Sequence, residues 1–232
     1  MIAEGLFITG TDTGVGKTRV ACAIVRALVV AGVRAAGMKP VAAGIDESAN
    51  CNADVAALAA ADGLDLALHE RNPYAFHAAI APHLAARDEG VRIELAAIAA
   101  AWRRIAEVAD AVVVEGAGGA LVPLGGGLDM LDIACRLRLP VLLVVGLRLG
   151  CLNHALLTAR AIEARGLVMA GWVANRIDPS MARADDNVAE LAALLRVPPL
   201  LDMAWNEEPR IDRRALAKLI PNALSRARSA RA

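Results

Sequence analysis

Aromatic side chains are scarce in this 232-residue chain: three Trp, one Tyr and two Phe, 3% in all. With hydrophobic residues at 57%, the core has to be assembled from Ala, Val, Leu and Ile. Neither sign of charge is in excess. Lys and Arg together number 25, as do Asp and Glu, so no net field draws the chain onto nucleic acid or an anionic membrane. Cysteine is limited to Cys22, Cys51, Cys135 and Cys151, far apart and without a C-x-x-C pair. That spacing matches neither a zinc site nor a disulfide framework and points to a reducing compartment, the cytoplasm. The histidines, His69, His77, His83 and His154, lack ligand spacing, and no Ser-His-Asp or Cys-His arrangement is legible. Positioning and charge stabilisation are therefore indicated over nucleophilic catalysis by the protein. Long hydrophobic runs are missing as well. Stretches such as "PVLLVVG" are too short to span a bilayer, and "MIAEGLFITG" lacks the basic region and long apolar run of a secretory leader.

What the chain does contain is alternation. "LFITG" (6–10) predicts a strand and is followed by a helix over 17–31; "VRAAGMKPV" (33–41) holds a second strand, closed by Pro40. Helical patterning returns over 53–61 and 93–108. "AVVVEG" (111–116) and "PVLLVVG" (140–146) are continuous apolar runs, as strands buried on both faces of a parallel sheet require. "AGWVAN" (170–175) and "PPLLDM" (198–203) supply two more. The pattern predicts an α/β fold: a doubly wound, mostly parallel sheet flanked by helices, P-loop NTPase-like, in one domain over 1–232. Residues 44–52 and the glycines 125–127 read as surface loops, and 225–232 as a frayed basic tail.

In such sheets ligands bind beyond the carboxyl ends of the strands. Here those ends carry Gly10, Lys39, Glu115, Gly146 and Asn175, so one edge gathers the polar groups. The first opens "GTDTGVGKT" (10–18), a glycine-rich loop between strand and helix. It has five residues between Gly10 and Gly16, where the usual phosphate loop has four. The extra residue enlarges the loop without removing a functional group. Backbone N–H groups and the helix N-terminus would surround phosphate oxygens. Lys17 would neutralise the β- and γ-phosphates of ATP, and the Thr18 hydroxyl would ligate Mg²⁺. Glu115 can approach the same Mg²⁺ or serve as a structural salt bridge, and "GAGG" (116–119) adds backbone near the γ-phosphate. Lys39 is either a second cation over transferring phosphate or a snorkelling surface lysine. Asp54 opens a helical stretch, where a simple N-cap is the plainer reading.

Taken in order, "GTDTGVGKT", "GMKPVAAG", Asp54 in "CNADVAAL", "NPYAF" with "PH" (82–83), "VEGAGGALVPL", "VVGLRLGCLNHALLTA" and "GWVAN" resemble the dethiobiotin synthetase family over about residues 6–206. The five-residue gap in the loop is that family's own form. The resemblance implies an ATP- and Mg²⁺-dependent ligase of biotin synthesis acting on 7,8-diaminononanoate and CO₂. One amine would take up CO₂ as a carbamate, ATP would phosphorylate it to a mixed anhydride, and the second amine would close the ureido ring of dethiobiotin. It also implies site roles. Thr18, Asp54 and Glu115 correspond to metal ligands, which reverses the N-cap reading of Asp54. Lys17, Lys39 and Thr13 correspond to catalytic positions. Asp12, Thr13, Gly14, Val15, Gly16, Lys17, Thr18, Val20 and Glu115 correspond to ATP contacts, with Asn175 at the adenine and Met203, Ala204 and Trp205 along the nucleoside. Thr13, Lys39, Ala43 and Gly118 fall near the substrate. Family members are homodimers, and 146–155 corresponds to the piece reaching the partner's active site, with Gly150, Cys151 and Asn153 at the substrate's tail carboxylate. Ala43 replaces a Ser or Thr of many relatives, and Gly14 a Glu.

Two other readings share the sheet. A nucleotide-switched partitioning ATPase usually carries an additional lysine early in its loop, where this chain has Asp12. An amidotransferase-type ligase of cobalamin synthesis appends a glutaminase domain, for which the length leaves no room.

Overall fold

The apolar runs become strands, and their lack of a polar side dictates where they go. The computed structural model describes residues 3–46, 48 and 50–229. Among these, the strands are β1 (Glu4–Gly10), β2 (Ala35–Met38), β3 (Val41–Ala43), β4 (Tyr74–Phe76), β5 (Ala111–Gly119), β6 (Pro123–Gly125), β7 (Leu128–Asp129), β8 (Val141–Gly146), β9 (Met169–Asn175) and β10 (Leu201–Met203). The helices are α1 (Lys17–Val30), α2 (Ala53–Asp62), α3 (Leu68–Arg71), α4 (Pro82–Asp88), α5 (Leu95–Val108), α6 (Met130–Leu137), α7 (Cys151–Ala164), α8 (Ala184–Leu194), α9 (Arg213–Leu219) and α10 (Pro221–Ser229). A parallel sheet in the order β10-β9-β8-β1-β5-β2 forms the middle layer.

Successive side chains of a strand face opposite sides, and the sequence uses both. Phe7, Val112 and Val114 pack under α5 and α6, while Leu6, Ile8 and Val113 pack under α1, α9 and α10. Leu143 and Val145 of β8 join Trp172 beneath α7 and α8. Both faces are thus covered by helices, as the doubly wound expectation required. Each fully buried Val, Leu or Ile contributes about 1.5–3 kcal/mol relative to exposure, so many aliphatics do here what few aromatics cannot.

The run 33–41 holds the expected second strand, closed at Pro40, and then opens a further one. β2 stops at Met38 and the chain bends through Lys39 and Pro40. β3 then pairs in parallel with β4 in a separate two-stranded sheet. Pro40 has no N–H to continue a ladder, and the Lys39 N–H is taken by the Arg71 carbonyl at 3.0 Å. Gly126 and Gly127 turn the β6–β7 hairpin. In the loop 44–52, Asp46 bridges Cys51, and Glu47 and Ala49 lie outside the described residues. The stretch 225–229, expected to be frayed, continues α10 because its first turns pack Ala223 and Leu224 into the core. Residues 230–232 of that tail lie outside the described residues.

Candidate active site

A parallel sheet puts all its carboxyl ends on one side, and the loop 10–18 lies there. Register aligns Ile8 with Glu115, Gly10 with Gly119 and Gly146 with Asn175, although β5 runs on past Glu115 to Gly119. Gly16 ends the loop at φ 89°, a left-handed conformation that disfavours any side chain. A Cβ there would meet Asn175 Nδ2 at 2.3 Å. That amide instead donates to the Val15 carbonyl at 2.8 Å. The end of β9 thereby clamps the loop.

Four elements deliver charge to one point. The Thr18 hydroxyl, at the start of α1, donates to Glu115 Oε1 at 2.8 Å. Lys39 Nζ, just beyond β2, reaches the same oxygen at 2.8 Å and Asp54 Oδ2, on α2, at 2.6 Å. Asp54 is free to do so because Asn52 caps α2, its side chain accepting from the Asp54 N–H at 3.1 Å. Asn72 fixes Lys39 from behind, donating to its carbonyl at 2.7 Å. Behind that lies a fully buried ion pair, Arg71 with Asp62, which also binds both backbone groups of Gly37 in β2. Lys17 Nζ donates to the Asp12 carbonyl at 2.9 Å.

Burial decides how these groups ionise. It pushes the Lys17 ammonium down to about 8, against the pull of Glu115. It would lower Lys39 too, but the Glu115 and Asp54 carboxylates outweigh it and hold this ammonium above its ordinary value. Burial raises the Glu115 carboxyl, with Lys39 opposing. At Asp54 burial also acts upward, yet Lys39 wins and keeps the carboxyl below the usual range.

The cluster lines a cavity of about 790 Å³. Its oxygen donors suit a hard cation. Glu115 Oε2 is buried without a hydrogen-bond partner among the described residues, a cost of roughly 1–3 kcal/mol for an unsatisfied group that a bound cation would remove. Among the described residues, no group of three or more His, Cys, Asp or Glu is placed to hold a metal alone. Mg²⁺ commonly takes only one or two carboxylates and completes its shell with phosphate and water. The residues fit it.

A family model described as an AAA domain matches residues 4–209. The ATP-dependent dethiobiotin synthetase BioD of Aromatoleum aromaticum is 53% identical over 196 residues, covering 84% of this chain and 87% of that one. The protein of the same name from Nitrosospira multiformis is 48% identical over 219 residues, 94% of this chain and 95% of its own. The chain belongs to the ATP-dependent dethiobiotin synthetase family. Among solved structures, the signal recognition particle receptor FtsY of Elizabethkingia anophelis superposes with a TM-score of 0.51 at 16% identity. The match covers 95% of this chain and 64% of that structure, and it speaks for the fold alone.

Set against the residues that the dethiobiotin synthetase resemblance singled out, the cavity brings together Thr13, Gly14, Gly16, Lys17, Thr18, Lys39, Ala43, Asp54, Glu115 and Gly118. Asp12 stands at the loop, its side chain accepting from the Thr13 N–H and pairing with Arg148. Val15, Val20 and Met203 are buried in the core. Asn175 touches the loop from β9, and Trp205 lines a neighbouring cavity of about 590 Å³ with Arg176 and Leu147. Gly150, Cys151 and Asn153 begin α7 and line neither cavity. Arg19 was not singled out by the sequence, and Asn52, Asn72 and Arg148 entered only as parts of the motifs "CNADVAAL", "NPYAF" and "VVGLRLGCLNHALLTA", without roles of their own. Asn52 carries a further local signal, an Asn ahead of an acidic first turn. No helix among the described residues is long and apolar enough to cross a membrane.

Proposed function

We propose that this chain converts 7,8-diaminononanoate, CO₂ and ATP to dethiobiotin, ADP and phosphate, as the name of its relatives implies. The observation that carries the proposal is the convergence of Lys17, Lys39, Thr18, Asp54 and Glu115 on one cavity above a phosphate loop. One substrate amine adds to CO₂, losing a proton, to give a carbamate. A carbamate oxygen then displaces ADP from the γ-phosphorus. The second amine attacks the carbonyl carbon of the mixed anhydride, expelling phosphate and closing the ring.

The phosphoryl group passes between two anions, and the carbamate and the departing phosphate both carry negative charge, so cations and oriented dipoles are what the protein must supply. The loop N–H groups face the phosphates, and Lys17 and Lys39 offset charge on the phosphoryl group in transit. Thr13, Ala43 and Gly118 border the space for the diamine. Thr18, Asp54 and Glu115 would hold Mg²⁺, which when bound neutralises phosphate oxygens. The adenine would lie towards the end of β9, where Asn175 is committed through Nδ2 to Val15, and along Ala204 and Trp205, with Met203 behind them in the core.

The α7 N-terminus carries Gly150, Cys151 and Asn153; the Cys151 N–H is taken by the Arg148 carbonyl at 3.0 Å, and the positive end of the helix suits a carboxylate. Their place outside the cavity of their own chain favours a homodimer in which 146–155 serves the partner's site. Light scattering tests that: the monomer mass of 24.1 kDa would refute it. The free thiols of Cys22, Cys51, Cys135 and Cys151 accord with the cytoplasm. The activity test combines protein with MgATP, bicarbonate and 7,8-diaminononanoate, following ADP and product mass. ADP that appears only with the diamine, alongside dethiobiotin, is the expected result. ADP release indifferent to the diamine would favour a nucleotide-switched ATPase instead.

A further inference from the structure

Arg19 follows Thr18 on α1 and borders the phosphate cavity, yet its guanidinium is engaged elsewhere. Nη2 donates to the Glu207 carbonyl and lies 3.8 Å from Glu208 Oε1. Glu207 closes a turn beyond β10: its N–H donates to the Ala204 carbonyl at 3.1 Å, and its carboxylate accepts from the Ala204 N–H at 3.1 Å. Asn206 within that turn is left-handed, at φ 58°. Residues 204–208 are all exposed. Among the described residues, no other hydrogen bond or ion pair ties 205–208 to the remainder of the fold. Besides the half-buried Trp205, this polar tether is what opposes local opening of a short exposed turn.

We propose that Arg19 is a positioning residue that latches the turn 204–208 onto the first turn of α1. It thereby sets the wall along which the nucleoside lies, without itself binding phosphate. This rests on the nucleotide reading above and adds a specific consequence to it: Arg19 should matter for the nucleoside and not for the triphosphate. A long cation one residue after the phosphate-loop threonine would ordinarily be taken for a phosphate ligand. The two roles separate cleanly, since a phosphate ligand acts on any polyphosphate, whereas a latch acts only on ligands that carry a base and sugar.

The test compares MgATP with magnesium tripolyphosphate by calorimetric titration of the intact protein and of Arg19→Met. We expect the Kd for MgATP to rise about fivefold to tenfold, the scale of one partly exposed charge-assisted hydrogen bond and its ion pair. The Kd for tripolyphosphate should stay within about twofold. In turnover the loss should fall on the KM for ATP, with kcat at saturation retained. Arg19→Lys keeps a charge beside the phosphates but not the planar fork, so it should remain impaired towards MgATP. Equal weakening of both ligands, or full rescue by lysine, would make Arg19 a charge contact and overturn the latch. Unchanged MgATP affinity in Arg19→Met would overturn it too. Failure of the unaltered protein to bind either ligand would refute the nucleotide reading itself, a result distinct from all of these.

Discussion

Replacing Lys39 by Met should damage the protein twice, and the two injuries can be separated. The Lys39 side chain is 6% exposed and that of Glu115 1%, so the variant strands a buried carboxylate whose remaining partner is the Thr18 hydroxyl. Breaking a buried pair in this way costs about 3–5 kcal/mol, against a total stability of roughly 5–15 kcal/mol for a typical domain. Asp54, with a side chain 42% exposed, can return to water and adds little. With a urea m-value of about 3 kcal/mol/M, the unfolding midpoint should fall by about 1 M or more. Adding Glu115→Gln removes the stranded charge. The double variant should therefore recover about 2 kcal/mol relative to Lys39→Met, a coupling well beyond the ~0.5 kcal/mol scatter of independent sites. Turnover should be absent in both, because the cation over the transferring phosphoryl group is missing in both. Urea unfolding followed by circular dichroism, run beside the dethiobiotin assay, completes the cycle. Additive losses would show that Lys39 does not neutralise Glu115. Activity regained together with stability would show that Lys39 serves structure alone.

Lys17→Ala should abolish product formation with little loss of stability, because among the described residues Nζ bonds a loop carbonyl alone; turnover at the unaltered rate would remove the loop from the mechanism. Gly16→Ala puts a Cβ at φ 89° and 2.3 Å from Asn175 Nδ2. It should displace the clamp on the loop and weaken MgATP binding by more than about tenfold, over 1.4 kcal/mol, and normal affinity in a titration would contradict this. Asp110 gives a pH dependence. Its hydrogen bond from Arg34 holds the carboxyl below the ordinary 3.8, so its contribution is present above that value and lost as pH falls through the lower folded value. The stability gap between the unaltered protein and Asp110→Asn should therefore close on acidification below about pH 4. A gap in the urea midpoint that is constant down to pH 2 would refute the assignment.

What was legible in the sequence depended on how far apart the cooperating groups lie. Strands β5 and β8 announce themselves because a parallel strand needs apolar residues on both faces, and the loop because its glycines, Lys17 and Thr18 are contiguous. Lys39 and Glu115 lie 76 residues apart, yet one topological rule, that strand ends share an edge, is enough to bring them to one site. Asp54 obeys no such rule. Locally it is a cap candidate; the resemblance reassigns it to the metal, and the physical reason is that Asn52 caps α2 and leaves its carboxylate to Lys39. The contacts of Arg19 and Arg148 were illegible for a different reason: their partners stand 188 and 136 residues away, and a long side chain on an exposed surface has no spacing that betrays its target. The segment "NPYAF" marks the intermediate case. Its Asn72 contributes no reactive group to the cavity. It acts by holding the Lys39 carbonyl and the Tyr74 carbonyl together, while the adjacent Arg71 anchors to Asp62 and to the backbone of β2. A motif that reads as a signature of the site is, in physical terms, the brace that keeps one ammonium group between two carboxylates.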